Sequence, residues 1–325
     1  MSPPVPGRSR PSPRIDNLPP MREPIEDPRF GPVTLLEGPG GGRYPEGNTL
    51  LVDGDRESVV IDPSLGLLGR AGTPPRVDRV LNSHCHEDHV AGNHLFPDVP
   101  WHFHELDAPG IRCLEAFMEI YGFAGPIDEA FRKVLVEQFK FVPREDPQTY
   151  VDGDVFDLGG VTIRVMHTPG HTRGHCCFDI QWKEGVTPRR LLYLADIELT
   201  SFGPYYGDAW SDLEDFERSL ALVRTIEADW YATFHHIGVL AGREAFLERM
   251  DIFEAKIVDR ETRLLEFLAE PHGMSDIVEH RFVYRPGDPV PFADSVERRS
   301  MQQHLDRLLA GGQVRRLSEG RYQRT

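Results

Sequence analysis

The sequence predicts an α+β chain: one large mixed domain, then a small helical unit that closes with a hairpin. Three observations point there. Strand-like runs fall in two groups, from Val33 to about Ser83 and from about Asp154 to Thr200, with a helical pair between them. From Leu213 onward the patterning is mostly that of amphipathic helices. The length, 325 residues of which 39% are hydrophobic, suffices for one large domain with a small appendage.

Residues 1–28 are Pro-rich with scattered Arg and almost no apolar periodicity, so they read as a flexible tail that cannot bury enough surface to offset ordering entropy. The run VTLLEG opens the β pattern at Val33. A turn region, GPGGGRYPEGN, follows, and then NTLLVDG and SVVIDPS form two apolar runs across a DGDRE turn. VDRVLNS, residues 77–83, is a further buried strand and runs directly into HCHEDHVAGNHLF. Residues 110–140 predict two helices broken between Gly122 and Pro126. DVFDLGG, VTIRVMHTPGHT, HCCFDIQW and RRLLYLADIELT return to strand character. LEDFERSLALVRTI predicts a helix, ADWYATFHH a strand ending in histidines, and REAFLERMDIFEAKIVDRETRLLEFL a helix. From 259 the order is helix, short helix MSDIVEHRF, helix SVERRSMQQHLDRLLAGG, then VRRL and RYQR across an SEG turn. That is the order of a winged helix, and it divides the chain into 1–28, 29–258 and 259–325.

Composition excludes several classes. No run reaches the roughly 18 apolar residues needed to span a bilayer, and the N-terminus lacks the apolar core of a secretion signal; the expectation is a cytoplasmic protein without a membrane partner. Cys85, Cys113, Cys176 and Cys177 show no disulfide spacing. The neighbours Cys176 and Cys177, placed in a strand, would point to opposite faces, so reduced thiols are expected. Thirty-six Lys and Arg against 52 Asp and Glu give a net charge of -16, which disfavours nucleic acid and favours a small-molecule substrate. The sequence leaves a homodimer open.

The chemistry is carried by HxHxDH, matched by His84, His86, Asp88 and His89 in a loop at a strand's end. Two imidazoles at i and i+2 can converge on one metal ion, while the following Asp and His turn the other way toward a second. Further candidates appear in order at strand ends: His171 in HTPGHTRGH, Asp196 closing LLYLAD, and His235 closing WYATF. His94, His102, His104, His167 and His175 read as satisfied loop or strand residues, with His102 and His104 on one strand face.

The ordered set VVID at Asp62, HCHEDH, GHTRGH, LAD and a late histidine resembles the metallo-β-lactamase superfamily over roughly residues 33–258. The resemblance implies a four-layer αβ/βα sandwich with two divalent metal ions at one edge of two packed sheets, zinc first, with iron or manganese as alternatives. It implies His84, His86 and His171 as ligands of the first ion, Asp88, His89 and the late histidine as ligands of the second, and Asp196 as the bridge. Asp62 resembles an aspartate that steadies the ligand loop without ligating, which makes physical sense because a ligating imidazole needs an oriented N–H partner. The late histidine departs from the family pattern, which flanks a single His with glycines: here His235 aligns with the ligand position, and its neighbour His236, where glycine is common, remains the alternative.

The mechanism implied is hydrolysis, in which a hydroxide held by two metal ions attacks an ester, thioester or lactone carbonyl and Asp88 orients it or passes on its proton. Phosphodiester or RNA hydrolysis and sulfur dioxygenation at a single iron are the alternatives. Phe202, Tyr205 and Tyr206, in the segment after Asp196, are candidate pocket residues. The C-terminal unit, best matched in QHLDRLLAGGQVRR, resembles the winged-helix appendage of the branch that includes a mitochondrial ribonuclease and fungal polyketide thioesterases. Its candidate recognition helix carries mixed charge, so a cap or a wall of the cleft is expected rather than a DNA reader.

Overall fold

A computed structural model describes residues 27–70 and 72–325; the expected N-terminal tail, but for its last two positions, lies outside the described residues. The first sheet joins β1 (Arg29–Phe30), β2 (Val33–Leu36), β3 (Thr49–Asp53), β4 (Ser58–Ile61), β5 (Arg79–Leu81), β6 (Trp101–His104) and β7 (Gln148–Tyr150) in sequence order. It is antiparallel up to β4 and parallel from β4 to β7. The second holds β8 (Val155–Asp157), β9 (Val161–His167), β10 (Cys176–Glu184), β11 (Thr187–Tyr193), β12 (Trp230–Ala232) and β13 (Val239–Ala241) in the reverse spatial order. Only its β11–β12 pair is parallel.

Strand alternation sorts side chains into layers. Leu50, Val52, Val59 and Ile61 from the first sheet meet Ile163, Val165, Phe178, Ile180 and Tyr193 from the second in a central core. On the outer face of the first sheet, Val60, Val80 and Phe103 pack beneath Phe117 and Ile120 of helix Leu114–Tyr121 and Phe131 and Leu135 of helix Pro126–Glu137. On the outer face of the second, Leu192 and Tyr231 pack beneath Phe216 and Leu220 of helix Leu213–Arg224 and Phe246, Met250 and Phe253 of helix Arg243–Phe267. The four layers are therefore helix, sheet, sheet, helix. Cys176 lies in the central core and Cys177 in the outer one, both unpaired, which follows directly from the period of two.

Helix Arg243–Phe267 runs 25 residues without a break. Its first half packs on the second sheet; Leu264 and the following Leu268 join Ile277, Met301, Leu305 and Val314 in a separate C-terminal core. The expected division at 258/259 thus falls inside one helix, because its apolar stripe continues from one core into the next. Helices Met274–His280 and Ala293–Ala310 and the hairpin β14 (Val314–Arg316) and β15 (Tyr322–Arg324) complete this unit, in the expected order of elements. The unit is docked firmly: Arg299 donates to the carbonyls of Gly122 and Gly207, Gln303 accepts from Leu213 N and donates to Tyr206 O, and the Tyr206 hydroxyl meets His304 Nε2 at 2.9 Å.

Chain direction collects the loops that matter at one edge. Parallel β4 and β5 end just before Asp62 and Asn82, parallel β11 and β12 end before Asp196 and His235, and the β9–β10 loop carries His171.

Candidate metal centre

The loop after β5 turns at His84–His86 and enters a single helical turn, Glu87–Val90, with His86 as its N-cap. That turn sends His84 and His86 one way and Asp88 and His89 another. Donor atoms of His84, His86, His171 and Asp196 gather within 4.8 Å of one another; so do those of Asp88, His89 and His235, and those of Asp196, Glu198 and His235. Asp196 belongs to two of the three groups. His235 Nε2 stands 2.8 Å from Asp88 Oδ2, and His171 Nε2 3.1 Å from Asp196 Oδ2.

The donors fit metal ions better than they fit one another. Nε2 of His89 and His171 and Oδ1 of Asp196 are buried without a hydrogen bond, a costly arrangement unless another group takes their lone pairs. On the far side of each ring a hydrogen bond selects the tautomer: His89 Nδ1 faces Asp62 Oδ2 at 2.9 Å, His171 Nδ1 the Tyr205 carbonyl at 3.0 Å, His235 Nδ1 the Gly42 carbonyl at 2.7 Å, and His84 Nδ1 the Ser83 hydroxyl at 3.1 Å. A ring that donates at Nδ1 presents a lone pair at Nε2, the arrangement a metal ligand needs. His86 is reversed, with Nε2 3.1 Å from Asp208 Oδ2 and Nδ1 turned to the cluster, 3.0 Å from His84 Nε2.

Asp62 sits beneath the loop as a hub. Its carboxylate accepts from Ser83 N, the Ser83 hydroxyl, His89 Nδ1 and the Tyr193 hydroxyl at 2.6–2.9 Å. Gly42, whose carbonyl holds His235, has φ +69, and a Cβ there would stand 2.5 Å from Asn48 Oδ1. Gly170, one residue before His171, has φ +129 and would drive a Cβ to 2.3 Å from the Phe216 backbone. Both positions require glycine if the two histidines are to reach the cluster.

Electrostatics reflect this crowding. Burial works against a charged His89, but Asp196, Asp62 and Asp88 outweigh it and hold the ring well above its ordinary range. For His84 burial and the neighbouring His89 and His86 act together, keeping it neutral. Burial raises the Glu198 carboxyl to about 7.

The structure separates the remaining candidates. His235 is buried at the cluster; His236 turns away at φ +60, a conformation glycine adopts freely, with its Nε2 4.0 Å from Glu198. His175, beside the cluster, is fully used: Nδ1 donates to Thr168 O at 2.9 Å, Nε2 accepts from Asp196 N, and burial lowers the ring to about 3. His104 stacks on His167 at 4.0 Å on a different part of the first sheet, and His102 lies against Phe156 there.

A cavity of about 370 Å³ opens from the cluster, walled by Tyr44, Tyr121, Phe123, Phe131, Tyr205 and Phe292 among others. Phe202 and Tyr205 line it. Tyr206 does not: adjacent to Tyr205, it faces the other way and is committed to His304. Glu87, in the same wall, takes both the Tyr44 hydroxyl at 2.9 Å and the Tyr121 hydroxyl.

Residues 43–223 match the family model described as the metallo-beta-lactamase superfamily. The chain belongs to that superfamily. Among its curated relatives, an atrochrysone carboxyl ACP thioesterase of Aspergillus chevalieri is 30% identical over 169 residues, covering 47% of the chain and 43% of the relative. The thioesterase of that name from Aspergillus fumigatus is 27% identical over 206 residues, 60% of the chain and 52% of the relative. The chain spans about half the length of the curated relatives it matches. A metallo-beta-lactamase family protein from Thermus thermophilus superposes with a TM-score of 0.64 at 24% identity, over 91% of the chain and 99% of its own, a likeness of fold.

In this superfamily member, sequence reasoning missed Glu198, Asp208, Glu87, Tyr284 and Phe292. Glu198 could have been found, since in ADIE it is a second carboxylate two residues after the candidate ligand Asp196. Tyr284 and Phe292 reach the pocket only because the C-terminal unit folds back, which no local pattern records.

Proposed function

We propose that this superfamily hydrolase cleaves carboxylic esters or thioesters with a bulky apolar acyl group, using two divalent metal ions, zinc foremost. One observation carries the reading: the His and Asp cluster opens into a cavity walled by aromatic rings, with no Lys or Arg among its described lining residues. Such a wall suits an uncharged, flat or branched acyl group. A phosphodiester would meet no Lys or Arg there beyond the metal ions themselves.

His84, His86 and His171 would hold one ion, Asp88, His89 and His235 the other, with Asp196 shared. Such ions lower the pKa of water and withdraw charge from a carbonyl oxygen, the chemistry that hydrolysis at neutral pH needs. The chain's own residues supply position and proton handling. Asp88 is placed to take a proton and deliver it to the leaving atom: burial raises its carboxyl, but His89 and His235 more than offset this and keep it ionised. Hydrogen bonds from Tyr44 and Tyr121 fix Glu87, holding that wall of the cavity in one arrangement. Phe123, Phe131 and Phe292 exclude water around the acyl group.

The test is a hydrolysis screen of matched aryl esters, thioesters, lactones and bis-phosphate diesters on protein of measured metal content, with Asp88→Asn beside the wild type. Removing a positioned proton carrier is worth about 10²–10⁴ in rate. The reading expects at least that loss, since Asp88 would also hold a metal ion, with the fold retained by circular dichroism. An active Asp88→Asn enzyme, phosphodiester preference, or one iron per chain with thiol oxidation would each overturn it.

A further inference from the structure

A second cavity, of about 450 Å³, adjoins the first: Phe202 and Tyr284, ring centroids 5.8 Å apart, line both. Its character is opposite. Lys256, Arg260, Arg263 and Arg285 line it, against two carboxylates, Asp259 and Asp288, in a chain whose net charge is -16.

The state of these cations is informative. Arg260 is 2% exposed, yet among the described residues it pairs with no carboxylate; its guanidinium donates to the carbonyls of Pro204 and Phe202. Arg263 likewise donates only to the carbonyls of Phe282 and Arg281. Carbonyl oxygens satisfy N–H groups but leave the positive charge uncancelled, and burying such a charge is costly without an anion nearby. Asp259 stands 3.5 Å from Lys256 Nζ, and Asp288 is engaged by the backbone N–H of Arg285, whose own side chain has no ion pair among the described residues. The cavity therefore holds four cations against two carboxylates: Lys256 is offset by Asp259, while the exposed Arg285 and the two fixed guanidinium groups of Arg260 and Arg263 carry the surplus positive charge.

The surrounding backbone is built to hold this arrangement. The buried Glu297 carboxylate accepts from the backbone N–H groups of Phe282, Val283 and Tyr284, setting the strip that carries Tyr284 and leads into Arg285. Opposite, Gly203 presses on the long helix so closely that a Cβ would stand 2.3 Å from Lys256 Cβ. Phe202 is thereby pinned between the aromatic and the cationic cavity.

We propose that the cationic cavity binds the phosphate of a phosphate-bearing thiol leaving group, so that the substrate is a thioester with its acyl group in the aromatic cavity and its charged end over Lys256 and Arg285. This rests on the hydrolase reading above for the acyl half, but not for the anion site itself. An elongated substrate lying along Phe202 and Tyr284 reaches both cavities at once.

The experiment compares pantetheine 4′-phosphate with pantetheine, by calorimetry and as leaving groups of one aromatic acyl thioester. Two charge-assisted contacts predict about tenfold or greater preference for the phosphate-bearing partner in Kd and KM, weakening as salt is raised. In the Lys256→Ala, Arg285→Ala double variant the preference ratio falls toward one. A Lys133→Ala, Lys183→Ala double variant, at two exposed lysines that line neither cavity, removes the same two positive charges and keeps the ratio. Equal affinity for both ligands in the wild type, or a ratio unchanged in the double variant, overturns the site. Inorganic phosphate and a short single-stranded RNA serve as further probes: phosphate competing with pantetheine 4′-phosphate supports the site, and RNA binding more tightly than pantetheine 4′-phosphate overturns the assignment to a thiol leaving group. If phosphate preference is present but neither thioester nor ester is cleaved, the anion site stands and the hydrolase reading falls.

Discussion

Replacing Asp62 by Asn tests whether the ligand loop is held from below. The substitution keeps size and shape, and Asn tolerates the φ of +47 at this position, so the backbone is not a confounder. What changes is hydrogen bonding. Oδ2 accepts from the Ser83 hydroxyl, His89 Nδ1 and the Tyr193 hydroxyl, and Oδ1 from Ser83 N. An amide offers one acceptor oxygen. Placed where three donors converge, that oxygen leaves an NH₂ group facing the Ser83 N–H, an unsatisfied buried pair costing about 1–3 kcal/mol, and three charge-assisted bonds become neutral at about 1 kcal/mol each. The sum is on the order of 4–6 kcal/mol, or roughly 8–24 °C in melting temperature at about 2–4 °C per kcal/mol for a domain of this size. The assay is thermal unfolding of chelator-treated protein, paired with metal stoichiometry after reconstitution. A melting temperature within about 2 °C of wild type, with two ions still bound, would refute the idea that Asp62 organises the loop.

Two further outcomes are expected. His235→Ala loses about one of two bound metal equivalents in elemental analysis while His236→Ala keeps both, because only His235 is turned toward Asp88 with Nδ1 held by Gly42. Burial and the stacked His167 lower His104 to about 4, so the folded state favours the neutral ring; the unfolded chain, titrating near 6.5, binds more protons below that pH, and stability declines as pH falls from about 6.5 toward 4. His104→Phe preserves the stack and makes that decline shallower in denaturant titrations of metal-free protein; a slope identical to wild type would contradict the assignment.

Much of the fold was legible because its elements carry full periods. The helices at 114–121, 126–137, 213–224 and 243–267 each span enough turns to show an apolar stripe, and apolar and polar residues alternate through VTIRV in β9 and FDIQWK in β10. Three-residue strands such as β7 and β13 show no period at all; pairing with neighbours, not sequence pattern, makes them strands. At the site, HxHxDH is legible because one short turn supplies four donors. Asp208 is not, since its role depends on a loop brought back over His86, and the opposed facing of Tyr205 and Tyr206 depends on a helix almost a hundred residues downstream.

The long helix Arg243–Phe267 works as a shaft with a phase. Each residue of an α-helix turns the chain by about 100° and advances it by about 1.5 Å, so inserting or deleting a single residue would swing everything beyond it around the axis. Tyr284, Phe292 and Arg285 lie beyond it and line the two cavities, while Phe246 and Met250 anchor its other end to the second sheet. The length of this helix is thereby tied to what the cavities admit: a frame-preserving indel far from every metal-binding residue would rotate a wall out of the pocket, changing which substrates enter while leaving the metal cluster intact.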